Sequence, residues 1–159
     1  VFVICDIGVG AGVILNDRLF TGATGMAGEI GHSILQINGP LCSCGRRGCV
    51  ETFIGARALA KNKDETTAAS YLGMLLQNLD AMFNPRVIVL GGRSAILNPA
   101  WIDRARNNLN TYARATGLKA PEIKTASYGM QAAAVGAAAL VLHHHLRPLY
   151  KDKQHVLGN

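Results

Sequence analysis

The sequence predicts an α/β fold: a mixed sheet with packed helices and a zinc loop set between its front strands and the helices that follow. Three observations predict it. Apolar runs with β-branched residues open the chain as VFVIC at 1–5 and return as VIVL at 87–90. Helix-period apolar patterns fill the stretches between and after them. One insert, EIGHSILQINGPLCSCGRRGCVE at 29–51, concentrates three of the four cysteines within eight residues. Strands alternating with helices bury their apolar faces best as helices layered on a sheet.

The elements follow in order. Residues 1–5 read as a buried strand. Gly8, Gly10 and Gly12 suggest a tight glycine turn, Gly12–Leu15 a returning strand, Asn16-Asp17 a hairpin turn and Leu19–Thr21 its partner. Residues 22–31 form a loop with four glycines, and His32–Ile37 reads as a further strand. From Val50 the pattern turns helical, with Phe53, Ile54, Ala58 and Leu59 on one face. Thr66 or Thr67 can cap a long helix whose Leu72, Leu75, Leu76, Leu79 and Phe83 share one side, and Asn84-Pro85 stops it. Val87–Leu90 is a covered strand ended by Gly91-Gly92. Helix over 101–115, strand over 122–125 and helix over 131–145 complete the order. The alanine-rich run Ala132–Leu142 reads as a helix packed closely against the sheet.

The insert carries the chemistry. His32, Cys42, Cys44 and Cys49 make a full tetrahedral donor set, and thiolate with imidazole selects zinc over calcium or magnesium. Four protein ligands leave no open position, so the zinc is structural. Gly45 and Gly48 let the backbone fold back between Cys44 and Cys49. A disulfide is the competing reading, but three cysteines leave one thiol over, and a single residue between Cys42 and Cys44 is an awkward span. Cys5 reads as a small buried hydrophobe. Glu29 and Glu51 bracket the cluster; on base rates Glu29 is as readily a surface carboxylate, and Glu51 a helix-start charge, as a residue of the site.

The chain has 159 residues, 49% hydrophobic and 16% charged, enough for a real core, and no apolar run reaches membrane-spanning length. Sixteen basic residues against ten acidic leave a formal charge of +6. Arg46 and Arg47, Lys61 and Lys63, and Arg104, Arg106 and Arg114 are spread out without aromatic interleaving, which argues for a solvated surface over nucleic-acid binding. His143, His144 and His145 point about 100° apart on a helix and cannot all chelate one ion. With no signal peptide in view and reduced cysteines expected, a cytoplasmic location follows.

GVGAG at 8–12, GMAGEIGH at 25–32, CSCGRRGCVE at 42–51 and NPRVIVLGG at 84–92 occur in this order and together resemble the ROK family of repressors, open reading frames and sugar kinases. The resemblance implies an actin-like, ribonuclease-H-like ATPase fold of two lobes with sugar and nucleotide in the cleft. This chain is similar to the C-terminal lobe, over residues 1–146, with 147–159 a polar tail. The family pattern gives His32, Cys42, Cys44 and Cys49 to zinc, and Glu29, His32 and Glu51 to sugar hydroxyls. Gly8, Gly10, Gly12, Gly91 and Gly92 match positions near ATP in the kinases. The chain reads CDIGVGAG where kinases read GTGxGxG, so Asp6 and Ile7 replace a glycine and a threonine. An aspartate repels phosphate and isoleucine has no hydroxyl, which weighs against ATP and toward the transcriptional-regulator branch.

The expectation is therefore the sugar-effector-binding, zinc-containing C-terminal lobe of a regulator. It carries no catalytic residue of its own, forms homodimers and meets DNA only through an upstream domain. The alternatives are the C-terminal lobe of an ATP-dependent, glucokinase-like sugar kinase, whose base and phosphate loop lie in the other lobe, and a zinc-bearing dimerisation module that binds no ligand.

Overall fold

The computed structural model describes residues 1–61, 64–92 and 98–146. The tail expected over 147–159 lies outside the described residues, as does Lys63. Four strands form the main sheet: β1 (Phe2–Cys5), β2 (Val9–Gly12), β5 (Val87–Gly91) and β6 (Glu122–Thr125). Their order is β2-β1-β5-β6. β1 runs antiparallel to β2 and parallel to β5, and β5 runs parallel to β6. The mixed sheet is as expected, with the parallel pairs reached through helical crossovers.

Alternation sorts the side chains of β1 and β5. Val3, Cys5, Ile88 and Leu90 are buried on one face. There they meet Leu72, Leu75, Leu76 and Leu79 of α3 (Glu65–Phe83) and Ile102, Ala105 and Leu109 of α4 (Pro99–Thr116). The two helices approach closely at Gly73, where a β-carbon would stand 2.7 Å from Asn108 Nδ2. Gln77 Nε2 donates to the Asn108 carbonyl at 3.1 Å beside it. Burying a leucine of this kind contributes roughly 1.5–3 kcal/mol.

Several expectations change in detail. The glycine turn is shorter than expected. Cys5 pairs with Val9, so only Asp6–Gly8 turns, and Gly10 and Gly12 lie in β2. Asn16 and Asp17 do turn a hairpin, both at positive φ, but it is a separate ribbon of β3 (Ile14–Leu15) and β4 (Arg18–Leu19). His32–Ile37 is no strand. A 3₁₀ turn covers Ile30–His32, and the segment after it makes one bridge, Ile34 with Cys49. The reason is its partner: it lies beside the irregular loop of residues 39–49, which offers no second strand to continue a ladder.

The helix expected from Val50 breaks into α1 (Glu51–Ile54) and α2 (Ala56–Lys61), because Gly55 adopts an extended conformation at φ −69°, ψ 154°. The cap of α3 is Asp64 rather than a threonine; its carboxylate accepts from the Thr66 and Thr67 N–H groups. Asn84 ends α3 in the left-handed region, as its pairing with Pro85 suggests.

The last helix, α5 (Ala132–Leu146), does not pack closely on the sheet. Leu140, Val141 and Leu142 are 44–58% exposed. A space of about 1020 Å³ separates α5 from Phe2, Ile4, Val87 and Val89 on the second sheet face. Periodicity cannot foresee this, since an alanine-rich helix reads as apolar whether or not anything covers it.

Candidate functional site

The site begins at a 3₁₀ turn held against β2. Ala11 N–H donates to the Gly28 carbonyl at 2.8 Å. A β-carbon on Gly31 would stand 2.2 Å from the Val9 carbonyl oxygen, so only glycine lets the turn lie this close. Glu29 precedes this turn at φ −70°, ψ 45°, and His32 closes it, its N–H donating to the Glu29 carbonyl at 3.1 Å. A flat strand would have put them on opposite faces.

From there the chain runs beside its own return. Leu35 N–H donates to the Gly48 carbonyl at 2.8 Å and Val50 N–H to the Ser33 carbonyl at 2.9 Å. A second tight turn forms where Cys42 N–H donates to the Arg46 carbonyl and Gly45 N–H to the Cys42 carbonyl. The two turns bring His32, Cys42, Cys44 and Cys49 together with all donor atoms within 4.8 Å of one another. His32 Nδ1 is 3.6 Å from Cys42 Sγ, and Cys44 Sγ is 3.7 Å from Cys49 Sγ. All four cysteines are free thiols.

These spacings fit zinc. Tetrahedral bonds of about 2.3 Å to sulfur and about 2.05 Å to nitrogen imply edges of about 3.8 Å between sulfurs and about 3.6 Å between sulfur and nitrogen. The four residues would hold the ion with a closed ligand set and supply a cross-link between the two turns.

The thiols of the cluster sit in unequal surroundings: those of Cys44 favour the thiolate that binds a metal, and those of Cys49 favour the neutral thiol in the absence of one. The Arg46 backbone N–H, and then its guanidinium, hold the exposed Cys44 thiol down at about 6. Burial, and then the neighbouring thiols, push Cys49 up to about 12. Cys5, outside the cluster and 2% exposed, is also pushed up to about 12 by burial, as befits a core residue.

Glu51 opens α1 directly after Cys49-Val50. Its Oε2 lies 3.4 Å from Val9 N, and a β-carbon on Gly8 would come within 3.0 Å of it. The carboxylate therefore sits at the end of β1, beside the Asp6–Gly8 turn. Gly91 pairs with Ile4, and a β-carbon on Gly92 would stand 2.1 Å from the Cys5 carbonyl oxygen. Gly8, Gly91, Gly92 and Glu51 thus converge at the carboxyl ends of β1 and β5, where open α/β sheets bind ligands. Gly10 and Gly12 lie further along β2. The close contacts of Gly91 and Gly92 are met by the fold itself, without a nucleotide.

Sequence reasoning passed over Arg57 and read Lys61 only as solvated surface. They line a hollow of about 210 Å³ with Ile7, Leu41, Cys42, Ser43 and Glu51. Their spacing of four on α2 was the available signal. Glu29 and His32 do not line that hollow.

The ROK family model matches residues 1–70 and 65–144, and the chain belongs to the ROK family. Its fold is that of the actin-like ATPases. A solved ROK hexokinase from Thermus thermophilus superposes with a TM-score of 0.76 at 29% identity, covering 90% of this chain and 57% of that one. The chain is 29% identical over 171 residues to the xylose repressor of Bacillus subtilis, covering 92% of this chain and 44% of the repressor. It is 32% identical over 163 residues to the N-acetylmannosamine kinase of Haemophilus influenzae, covering 87% of this chain and 53% of the kinase. The chain thus spans about half the length of these curated relatives. Among the described residues no helix is long and apolar enough to cross a membrane.

Proposed function

We propose that the chain is the sugar-effector-binding lobe of a ROK transcriptional regulator, built around a structural zinc. The carrying observation is the placement of Glu51. It is anchored at the carboxyl end of β1 while Cys49, two residues before it, joins the metal cage. Zinc held by His32, Cys42, Cys44 and Cys49 fixes the start of α1 and with it this carboxylate. His32 turns Nδ1 to the cage, which leaves Nε2 for a sugar hydroxyl. Glu29 and Glu51 accept charge-assisted hydrogen bonds from neighbouring hydroxyls.

Asp6 at the β1 turn and the likeness to a xylose repressor support a regulator over an enzyme. On this reading the working protein is a cytoplasmic homodimer that meets DNA through another domain. The likeness to N-acetylmannosamine kinase favours the second reading, the C-terminal lobe of a sugar kinase whose catalytic base lies in the other lobe.

Calorimetry on the full-length protein with xylose, glucose and N-acetylmannosamine tests the site. Glu29→Gln and Glu51→Gln should each weaken the cognate sugar by about one to two decades, the worth of a hydrogen bond to a charged group, and leave zinc in place. Parental affinity in both variants refutes the sugar site and favours a dimerisation module.

A further inference from the structure

The sulfurs of the metal cage are unequally shielded. Cys49 is fully buried and Cys42 is 4% exposed, whereas Cys44 is open to solvent. A structural ion uses all its donors alike and does not require one of them to face water. Exposure decides which thiolate a reagent from solvent can meet. Cys44 Sγ also stands 3.7 Å from Cys49 Sγ, while Cys42 Sγ lies against His32 Nδ1 at 3.6 Å. Cys44 is thus an accessible sulfur with a buried second sulfur beside it.

The Arg46 guanidinium donates a hydrogen bond to Cys44 Sγ. A cation there faces the negative charge carried by an attacking thiolate and by the hydroxide it displaces. The two sides of the pair differ in how far they can give. Gly45, next to Cys44, has nothing within 4 Å of a β-carbon, so the tip of the loop is unpacked. On the other side, Gly48 is pressed against the Gln36 carbonyl and Val50 N–H donates to the Ser33 carbonyl at 2.9 Å, which holds Cys49 in place. A disulfide needs about 2.05 Å between sulfurs, so Cys44 must close on Cys49 by less than about 2 Å.

We propose that Cys44 is the site at which a hydroperoxide oxidises this protein, with Cys49 as the resolving thiol, so that the metal cage opens on oxidation. The Cys44 thiolate attacks one peroxide oxygen; the O–O bond breaks, a sulfenic acid forms on Cys44 and hydroxide leaves. The Cys49 thiolate then attacks the Cys44 sulfur, the S–O bond breaks and a second hydroxide leaves. The two sulfurs together lose two electrons and the peroxide gains them. His32 and Cys42 remain, two donors where a closed zinc site needs four. The oxidation site rests on the zinc cage, and it makes the hold of that cage on the start of α1 depend on redox state.

The test treats the reduced, zinc-loaded protein with a modest excess of hydrogen peroxide and follows free zinc with a chromophoric chelator. One zinc per molecule should be released. Peptide mapping after alkylation should find Cys44 joined to Cys49, with Cys5 and Cys42 still alkylated. Dithiothreitol and added zinc should restore the loaded protein. Cys44→His keeps a zinc donor but cannot form the bond, so it should hold its zinc in peroxide. If that variant takes up no zinc, the disulfide map of the parent decides alone. Zinc retained by the parent, zinc released with a different pair of cysteines joined, or Cys44 oxidised without a partner overturns the proposal. A parent that carries no zinc before peroxide is added overturns the cage itself, a separate result.

Discussion

Alanine at Gly48 tests whether backbone geometry holds the metal loop together. Gly48 stands at φ +70°, and a β-carbon there would lie 1.5 Å from the Gln36 carbonyl oxygen. That oxygen is main chain, and it already accepts the Gly39 N–H at 3.0 Å. It cannot swing aside as a flexible side chain would. Relief separates residues 36 and 48 and breaks the bonds from Leu35 and Gln36 N–H to the Gly48 carbonyl, at 2.8 and 3.3 Å. The bond from Gly48 N–H to the Pro40 carbonyl, at 2.9 Å, goes with them. At about 1 kcal/mol each, with roughly 1–2 kcal/mol for a left-handed alanine, the loss is about 4–5 kcal/mol.

Since the cage forms with the loop, the loss should appear as about three decades of zinc affinity. Gly45 is the control. It has φ +85° and nothing within 4 Å of a β-carbon, so Gly45→Ala should lose only the roughly 1–2 kcal/mol of strain, about one decade. Competition against a chromophoric chelator at fixed pH measures both, with circular dichroism to follow the fold. Equal affinities in the two variants would refute the reasoning, because the contact between residues 36 and 48 would then not shape the cage.

Two further outcomes concern the metal and the core. Elemental analysis of the folded, reduced chain should find one zinc per molecule, and Cys49→Ala, which removes a fully buried donor, should abolish it; a value near zero in the parent sinks the assignment. Burial raises the Asp80 carboxyl from its ordinary value, and its Oδ2 has no partner among the described residues. A folded pKa above the unfolded one means that the native state binds more protons. The associated stability is full below the unfolded value and is lost as pH rises through the folded one. Asp80→Asn should therefore melt higher than the parent at neutral pH, with the gap closing in acid. Parallel melting profiles across pH would show that the carboxylate is not desolvated.

The residues that can bind metal, and most of the order of the elements, are legible in the amino-acid sequence alone. Three cysteines and a histidine in one short insert announce a metal cage because few other environments use that donor set. Val87–Leu90 and Leu72–Leu79 announce strand and helix because side-chain period maps directly onto geometry. Local chemistry also marked Asn16-Asp17 and Asn84-Pro85 as turn and stop.

Tertiary structure decided what depends on partners distant in the chain. His32–Ile37 has a strand-like composition but lies against the metal loop, which offers it a single bridge. Glu29 and His32 stand at the two ends of a 3₁₀ turn, and Gly31 within it lies too close to Val9 for any side chain. Glu51 reaches the end of β1 only once residues 9 and 51 meet, a closeness that no local period encodes. The apolar run of α5 looks like a packed helix in one dimension, yet it stands off the sheet in three. Period reports which face is apolar, whereas what covers that face is a property of the folded chain.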